Sequence, residues 1–175
     1  MAIYYGDGSN SNTGRVIKVS YADSSAYGRT SVNATSSGGE GGQRTLWTAL
    51  THTKVSSTSH LRCQMHITGH GKYSYPYYGT GVRADYSGGH YTTFHGSNYS
   101  IGAYIGGGQV LWLIDYTFTP TNLANNTGNI TFKAIFRSNG GGNDRPFNTW
   151  NPNASDDNRG FQKQSVCIVT EFVPN

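Results

Sequence analysis

At 175 residues the chain is about the size of one domain, and an all-β sandwich can use that whole length. Its 24 Gly and 13 Tyr, with only 13% charged residues, disfavour helices, because Gly is among the poorest helix formers while Tyr, Thr, Val and Phe suit strands. The net charge of +4 comes from basic residues scattered singly, not from the clustered stripe of a nucleic-acid binder, and no apolar run approaches the roughly 20 residues of a membrane span, so neither partner is expected.

The chain opens MAIYYGDGSNSNTGR. Its apolar start is too short for an export signal, which needs an apolar run of roughly 7–15 residues behind a basic start. Gly6 to Gly14 is polar and cannot bury enough surface to offset its own ordering entropy. Residues 1–14 therefore read as a short extended N-terminal arm, with Ile3, Tyr4 and Tyr5 as a small anchor on a tether. The plainer alternative is a frayed terminus or an edge strand. Residues 15–175 read as a single domain.

Weak strand patterns follow at Arg15 to Ser20 and Arg44 to Thr53, then a clear one in HLRCQMHITG. There Leu61, Cys63, Met65 and Ile67 share one face, and Arg62, Gln64, His66 and Thr68 the other. The segment Gly69 to Gly81 reads as a loop carrying Tyr73, Tyr75, Tyr77 and Tyr78. Further weak strands fall at Val82 to Tyr86 and Ser100 to Ile105. VLWLIDYTF, Val110 to Phe118, places Val110, Trp112, Ile114, Tyr116 and Phe118 together and suggests a central strand covered on both faces near its start.

The connector TPTNLANNTGN has the Pro and Gly of a hairpin loop, so Val110 to Phe118 and Ile130 to Arg137 are expected as antiparallel neighbours, with Asp115 facing Lys133 or Arg137. Ser138 to Gly160, with Trp150, is longer than an ordinary connection. The last strand, SVCIVTEFV, sets Val166, Ile168, Thr170 and Phe172 against Cys167, Val169, Glu171 and Val173. About eight antiparallel strands joined by long Gly-, Tyr- and Asn-rich loops make an all-β sandwich or jelly roll.

No reading for catalysis holds. The histidines His66 and His70 in HITGH would lie roughly 13 Å apart along a strand, and the glutamate of a metalloprotease motif is missing. A metal site built from distant histidines among His52, His60, His66, His70, His90 and His95 stays open, as does His66 at a subunit axis. Asp156 with Asp157, Asp85 and Asp115 suit turns or ion pairs better than an acid and base pair. There is no G-x-S-x-G elbow, and Cys63 and Cys167 have no histidine partner nearby in sequence, so two buried free thiols are expected. No cofactor or metal is called for. The aromatic loops, Tyr73, Tyr75, Tyr77, Tyr78, Tyr86, Tyr91 and Trp150, supply contact area of the kind that dominates interfaces. Sugar contact and packing within the domain are the alternatives.

In MAIYYGDGSNSNTGR, KVSSTSHLRCQMHITG, FKAIFRSNGGG and VCIVTEFVP the chain resembles the short virion structural proteins of bacteriophages, especially those of cyanobacteria and aquatic bacteria. The resemblance implies a β-sandwich or jelly roll that assembles as a homotrimer on the virion and is not an enzyme. Two jobs go with it: a capsid decoration or cement protein that binds the outside of the major capsid protein shell, or the head of a tail fibre or spike that binds a host receptor or surface glycan. With no heptads or repeats to form a stalk, the chain suits cement better. The tip Ile3, Tyr4 and Tyr5 would then reach a neighbouring subunit or the shell, and Trp150 with the Tyr73 to Tyr78 loop would lie in contacts.

Overall fold

Alternation of apolar and polar side chains determines which faces of the strands meet. The computed structural model describes residues 14–23, 31–34, 44–71, 78–95, 109–138, 145–149 and 165–174. These form ten strands: β1 (Arg15–Asp23), β2 (Ser31–Ala34), β3 (Arg44–Lys54), β4 (His60–Gly71), β5 (Tyr78–Tyr86), β6 (Gly89–His95), β7 (Gln109–Phe118), β8 (Gly128–Ser138), β9 (Arg145–Thr149) and β10 (Val166–Val173). All pairings are antiparallel. One sheet of six strands runs β1-β10-β4-β9-β2, with β7 on the other edge of β4, and a second of four strands runs β3-β8-β5-β6. The all-β sandwich of the jelly-roll type is the fold that the sequence indicates.

The inner faces are those of the alternation. Leu61, Cys63, Met65 and Ile67 of β4, Ile114 and Phe118 of β7, Cys167 and Val169 of β10, and Ile130, Phe132 and Ala134 of β8 all lie in one buried cluster. Phe118 of the first sheet meets Phe132 of the second edge-on, with ring centroids 5.4 Å apart. Truncating such a side chain removes its transfer energy and leaves a cavity, about 3–5 kcal/mol for a Phe.

Three strands escape the sequence reading. β6 is mostly Gly, His and Thr and has no apolar stripe, and β2 is only four residues long. β9 lies inside the segment expected as one long loop from Ser138 to Gly160, because RPFNT shows no period of two. β4 and β5 likewise extend into the expected Gly69 to Gly81 loop. The expected strand Ser100 to Ile105 falls outside the described residues.

The hairpin expected between Val110 and Arg137 is not formed. β7 pairs with β4 in the six-stranded sheet, while β8 pairs with β3 and β5 in the other. The connector is an arch between sheets. A 3₁₀ turn at Thr121–Leu123 follows Pro120 and drives Leu123 into the core. Thr119 and Asn122 exchange side chain to backbone bonds of 3.0 and 3.3 Å, and Ala124 and Asn125 then turn the chain in left-handed conformations. Stacked sheets lie about 10 Å apart, a gap that this stretch spans and a two-residue turn would not. Among strands adjacent in sequence, only β5 and β6 pair within the described residues. Their two-residue turn, Ser87 and Gly88, puts Gly88 at φ +85°, where a side chain would be strained.

Candidate assembly surface and the polar corner beneath it

The outer face of the six-stranded sheet carries an apolar pattern that an exposed sheet face does not need. Its rows follow from the register. Val16, Phe172 and His60 form one, and Val19, Thr170, Arg62 and Thr117 the next. Tyr21, Ile168, Gln64 and Asp115 follow, then Asp23, Val166, His66 and Leu113. Of the five exposed large hydrophobic side chains among the described residues, Val16, Val19, Tyr21 and Leu113 lie on this face, and only Val55 does not. Tyr21 is 61% exposed and Leu113 64%. β7 is thus not covered on both faces at Leu113, and, pairing only with β4 among the described residues, it is an edge strand and not the central strand expected.

The middle of the face is polar but internally matched. Arg62 donates from Nε and Nη2 to the two Asp115 oxygens at 2.8 and 2.5 Å, and Gln64 Nε2 adds a third bond at 3.1 Å. This replaces the expected pairing of Asp115 with Lys133 or Arg137, which sit in the opposite sheet. Lys133 bonds Asp85 instead, at 2.5 Å, with Arg83 Nε on the other carboxylate oxygen. Burial alone would raise the Asp85 carboxyl. The hydrogen bonds from Lys133 and Arg83 outweigh it and hold the group below the usual carboxylate range.

His66 is exposed on the outer face, between Val166 and Leu113. Tyr78 begins β5, on the other sheet. Ile3, Tyr4, Tyr5, Tyr73, Tyr75, Tyr77, Trp150, Asp156 and Asp157 fall outside the described residues. Tyr86 and Tyr91 do not stand out as loop platforms: both are strand residues packed against the core. Tyr91 meets Tyr116 hydroxyl to hydroxyl at 3.2 Å, closing the seam between β6 and β7. Burial, with the Tyr91 contact, pushes the Tyr116 phenol up to about 12. Cys63 and Cys167 are free and fully buried, with sulfurs 4.0 Å apart, and burial raises the Cys63 thiol well above its usual range.

The opposite seam, where β1 and β10 lie over β3, is closed by polar groups that sequence reasoning missed. His52, Lys54 and Glu171 are fully or almost fully buried there. Glu171 accepts from the backbone N–H of Val55 at 3.1 and 3.2 Å, from that of Ser56 at 3.1 Å, from Ser59 Oγ at 2.5 Å and from His52 Nε2 at 3.1 Å. Ser20 Oγ lies 2.9 Å from His52 Nδ1. Nε2 faces a carboxylate and donates to it; in the neutral ring Nδ1 then accepts from the Ser20 hydroxyl. Burial, opposed by Glu171, lowers the His52 pKa. Burial would raise Glu171, but the bonds from Ser59, His52, Ser56 and Val55 bring it below its usual value. Lys54 donates to the Ser56 carbonyl, and burial lowers its pKa.

The serine, histidine and glutamate are linked as in a nucleophilic relay, but both Glu171 oxygens are saturated by the corner at Val55 to Ser59. The geometry is that of a clamp on the β3–β4 crossing. One signal was available: Glu171 shares the inward phase of β10 with Cys167 and Val169, and a lone Glu on a buried face needs partners.

No family model matches the chain, and no curated protein matches it in sequence. Solved structures do. A chain of infectious bursal disease virus, Gt strain, superposes with a TM-score of 0.52 at 10% identity, over 100% of this chain and 43% of that one. A Gx strain chain of the same virus gives 0.48 at 11%, over 90% and 36%. A VP2 subviral particle of that virus gives 0.47 at 12%, over 90% and 38%. At these identities the likeness is one of fold, and the chain spans about two-fifths of the length of the chains it matches.

Proposed function

We propose that the chain is a non-enzymatic virion structural protein that works by adhesion: copies pack through the outer face of the six-stranded sheet, as a homotrimer, and the assembly decorates and stabilises a major capsid protein shell. The observation that carries this reading is the concentration of exposed apolar side chains, Val16, Val19, Tyr21 and Leu113, on one sheet face around a matched Arg62–Asp115 pair. Exposed apolar side chains gathered on one face favour an interaction site, and an ion pair already satisfied within one chain can enter an interface without leaving a charge unpartnered. The shared fold with a chain of infectious bursal disease virus supports the same class of protein. His66, in the row with Leu113, is the candidate for the position nearest the symmetry axis. Ile3, Tyr4 and Tyr5 supply the arm that reaches the shell or a neighbour, adding avidity when several copies bind.

The reading is tested on purified virions that carry the chain, by imaging with an antibody label and by quantitative staining. Many copies spread over the shell at symmetry-related positions are expected, and deletion of Met1 to Asn12 lowers attachment while the domain stays folded. A few copies confined to the tail would overturn decoration in favour of a receptor-binding head. Undiminished attachment after the deletion would remove the arm from the account.

A further inference from the structure

We propose that Ser20, His52 and Glu171 form an acid-released latch: with His52 neutral they hold edge strand β1 and the β3–β4 corner onto the sandwich, and protonation of His52 lets both loosen. The inference rests on the geometry of the seam and does not depend on the assembly reading.

β1 is an edge strand, hydrogen-bonded along its length only to β10 among the described residues. Side-chain contacts that fasten it to the facing sheet include Ser20 Oγ with His52 Nδ1 at 2.9 Å and Lys18 Nζ donating to the Thr53 carbonyl at 3.1 Å. The corner at Val55 to Ser59 is fastened by Glu171, whose oxygens take two backbone N–H groups, the Ser59 hydroxyl and the His52 ring. His52 is therefore the piece that touches both, one ring nitrogen serving β1 and the other serving the clamp.

Glu171 is held as a carboxylate by all of its donors, and the latch concerns the proton that the ring takes up. Nδ1 then becomes a donor to the Ser20 oxygen, so this contact reverses its direction, the hydroxyl hydrogen turns to another acceptor, and the loosening comes from the added charge. The charge balance changes at the same moment. The charged groups facing His52 are Glu171 from β10, Lys54 on its own strand and Lys18 from β1. Protonation leaves one carboxylate against three cations in a place where His52 and Glu171 are fully buried. An uncompensated charge in such a site is costly, and the state that lets water in gains. Burial already lowers the His52 pKa, which is the same preference seen from the neutral side.

Amide hydrogen exchange on the purified full chain, kept dilute, tests the latch between pH 8 and pH 5, with rates corrected for intrinsic exchange and the His52 imidazole followed by NMR in the same samples. Protection at the Val55 and Ser56 amides and along β1 is expected to fall at least tenfold as His52 takes up its proton, while the β4–β7 ladder keeps its protection. In His52→Gln the pH step disappears. Protection of Val55 and Ser56 that stays constant over this range would overturn the latch. So would a fall that sets in well above 6.5, the ordinary imidazole value, or that does not level off below the titration of the ring in the folded chain, a comparison made in the unaltered chain and independent of whether the variant folds.

Discussion

Glu171 is the residue on which most of the polar seam turns. It is fully buried, yet it gathers five hydrogen bonds from four residues, so its charge is spread over donors that would otherwise be unsatisfied at a sheet crossing. Glu171→Gln puts an amide NH2 against those donors and leaves Lys54 without its counter-charge. A loss of about 3–5 kcal/mol, the usual cost of breaking a buried pair, is expected in urea unfolding. The same group gives the pH dependence its sign. His52 and Glu171 both have pKa values lowered by the fold, from ordinary values of 6.5 and 4.5, so the unfolded chain binds more protons than the folded one. Stability therefore declines as the pH falls, first below about 6.5 through His52 and then below about 4.5 through Glu171. A urea midpoint that stays level or rises from pH 8 to pH 4 contradicts this. The sequence groups Glu171 with Cys167 and Val169 on one face of its strand, the face that proves to be the inner one. It could not show His52 as the partner, 119 residues away, because nothing in either segment encodes the stacking of β3 over β10.

At the level of elements, strands with one wet face were legible because burial writes a period of two into them. β4, β7, β8 and β10 lie where their alternation puts them. Arches were not legible, because Pro, Asn and Gly report that the chain turns and not which sheet the next strand joins. The β7–β8 connector illustrates this: its composition suits a hairpin, and what separates an arch from a hairpin is the apolar Leu123 in its middle, which fills the core between the sheets. Leu123→Ala is expected to cost about 2–5 kcal/mol, the range for an emptied leucine site. Leu123→Met, which keeps the volume, should cost under about 1.5 kcal/mol. Thermal or urea unfolding of the two variants separates the cases, and equal small effects would mean that the arch does not depend on this plug. β2 and β9, of four and five residues, are too short for alternation to stand out, and β6 has no apolar stripe although its Tyr91 packs against the core.

For the whole molecule, two seams and one open face summarise the physics. The seam between β6 and β7 is closed by Tyr91, Tyr116 and Phe118, whose rings stack and meet edge-on, and the seam between β1 and β3 by the Glu171 cluster. The outer face of the six-stranded sheet is left with Val16, Val19, Tyr21 and Leu113 in water. Those residues were visible individually in the sequence but not as a surface, since β1 and β7 stand on opposite sides of β10 and β4. The aromatic loops favoured by the sequence reading lie largely outside the described residues, so the surface rests on different side chains. The measurement that bears most directly on the account is sedimentation velocity of the purified chain across a range of concentrations, beside a variant carrying Val19→Asp, Tyr21→Asp and Leu113→Asp. The account predicts a trimer that forms with concentration in the unaltered chain, and a folded monomer in the variant, with unchanged circular dichroism. A chain that stays monomeric throughout, or an oligomer that the three substitutions leave intact, would contradict it.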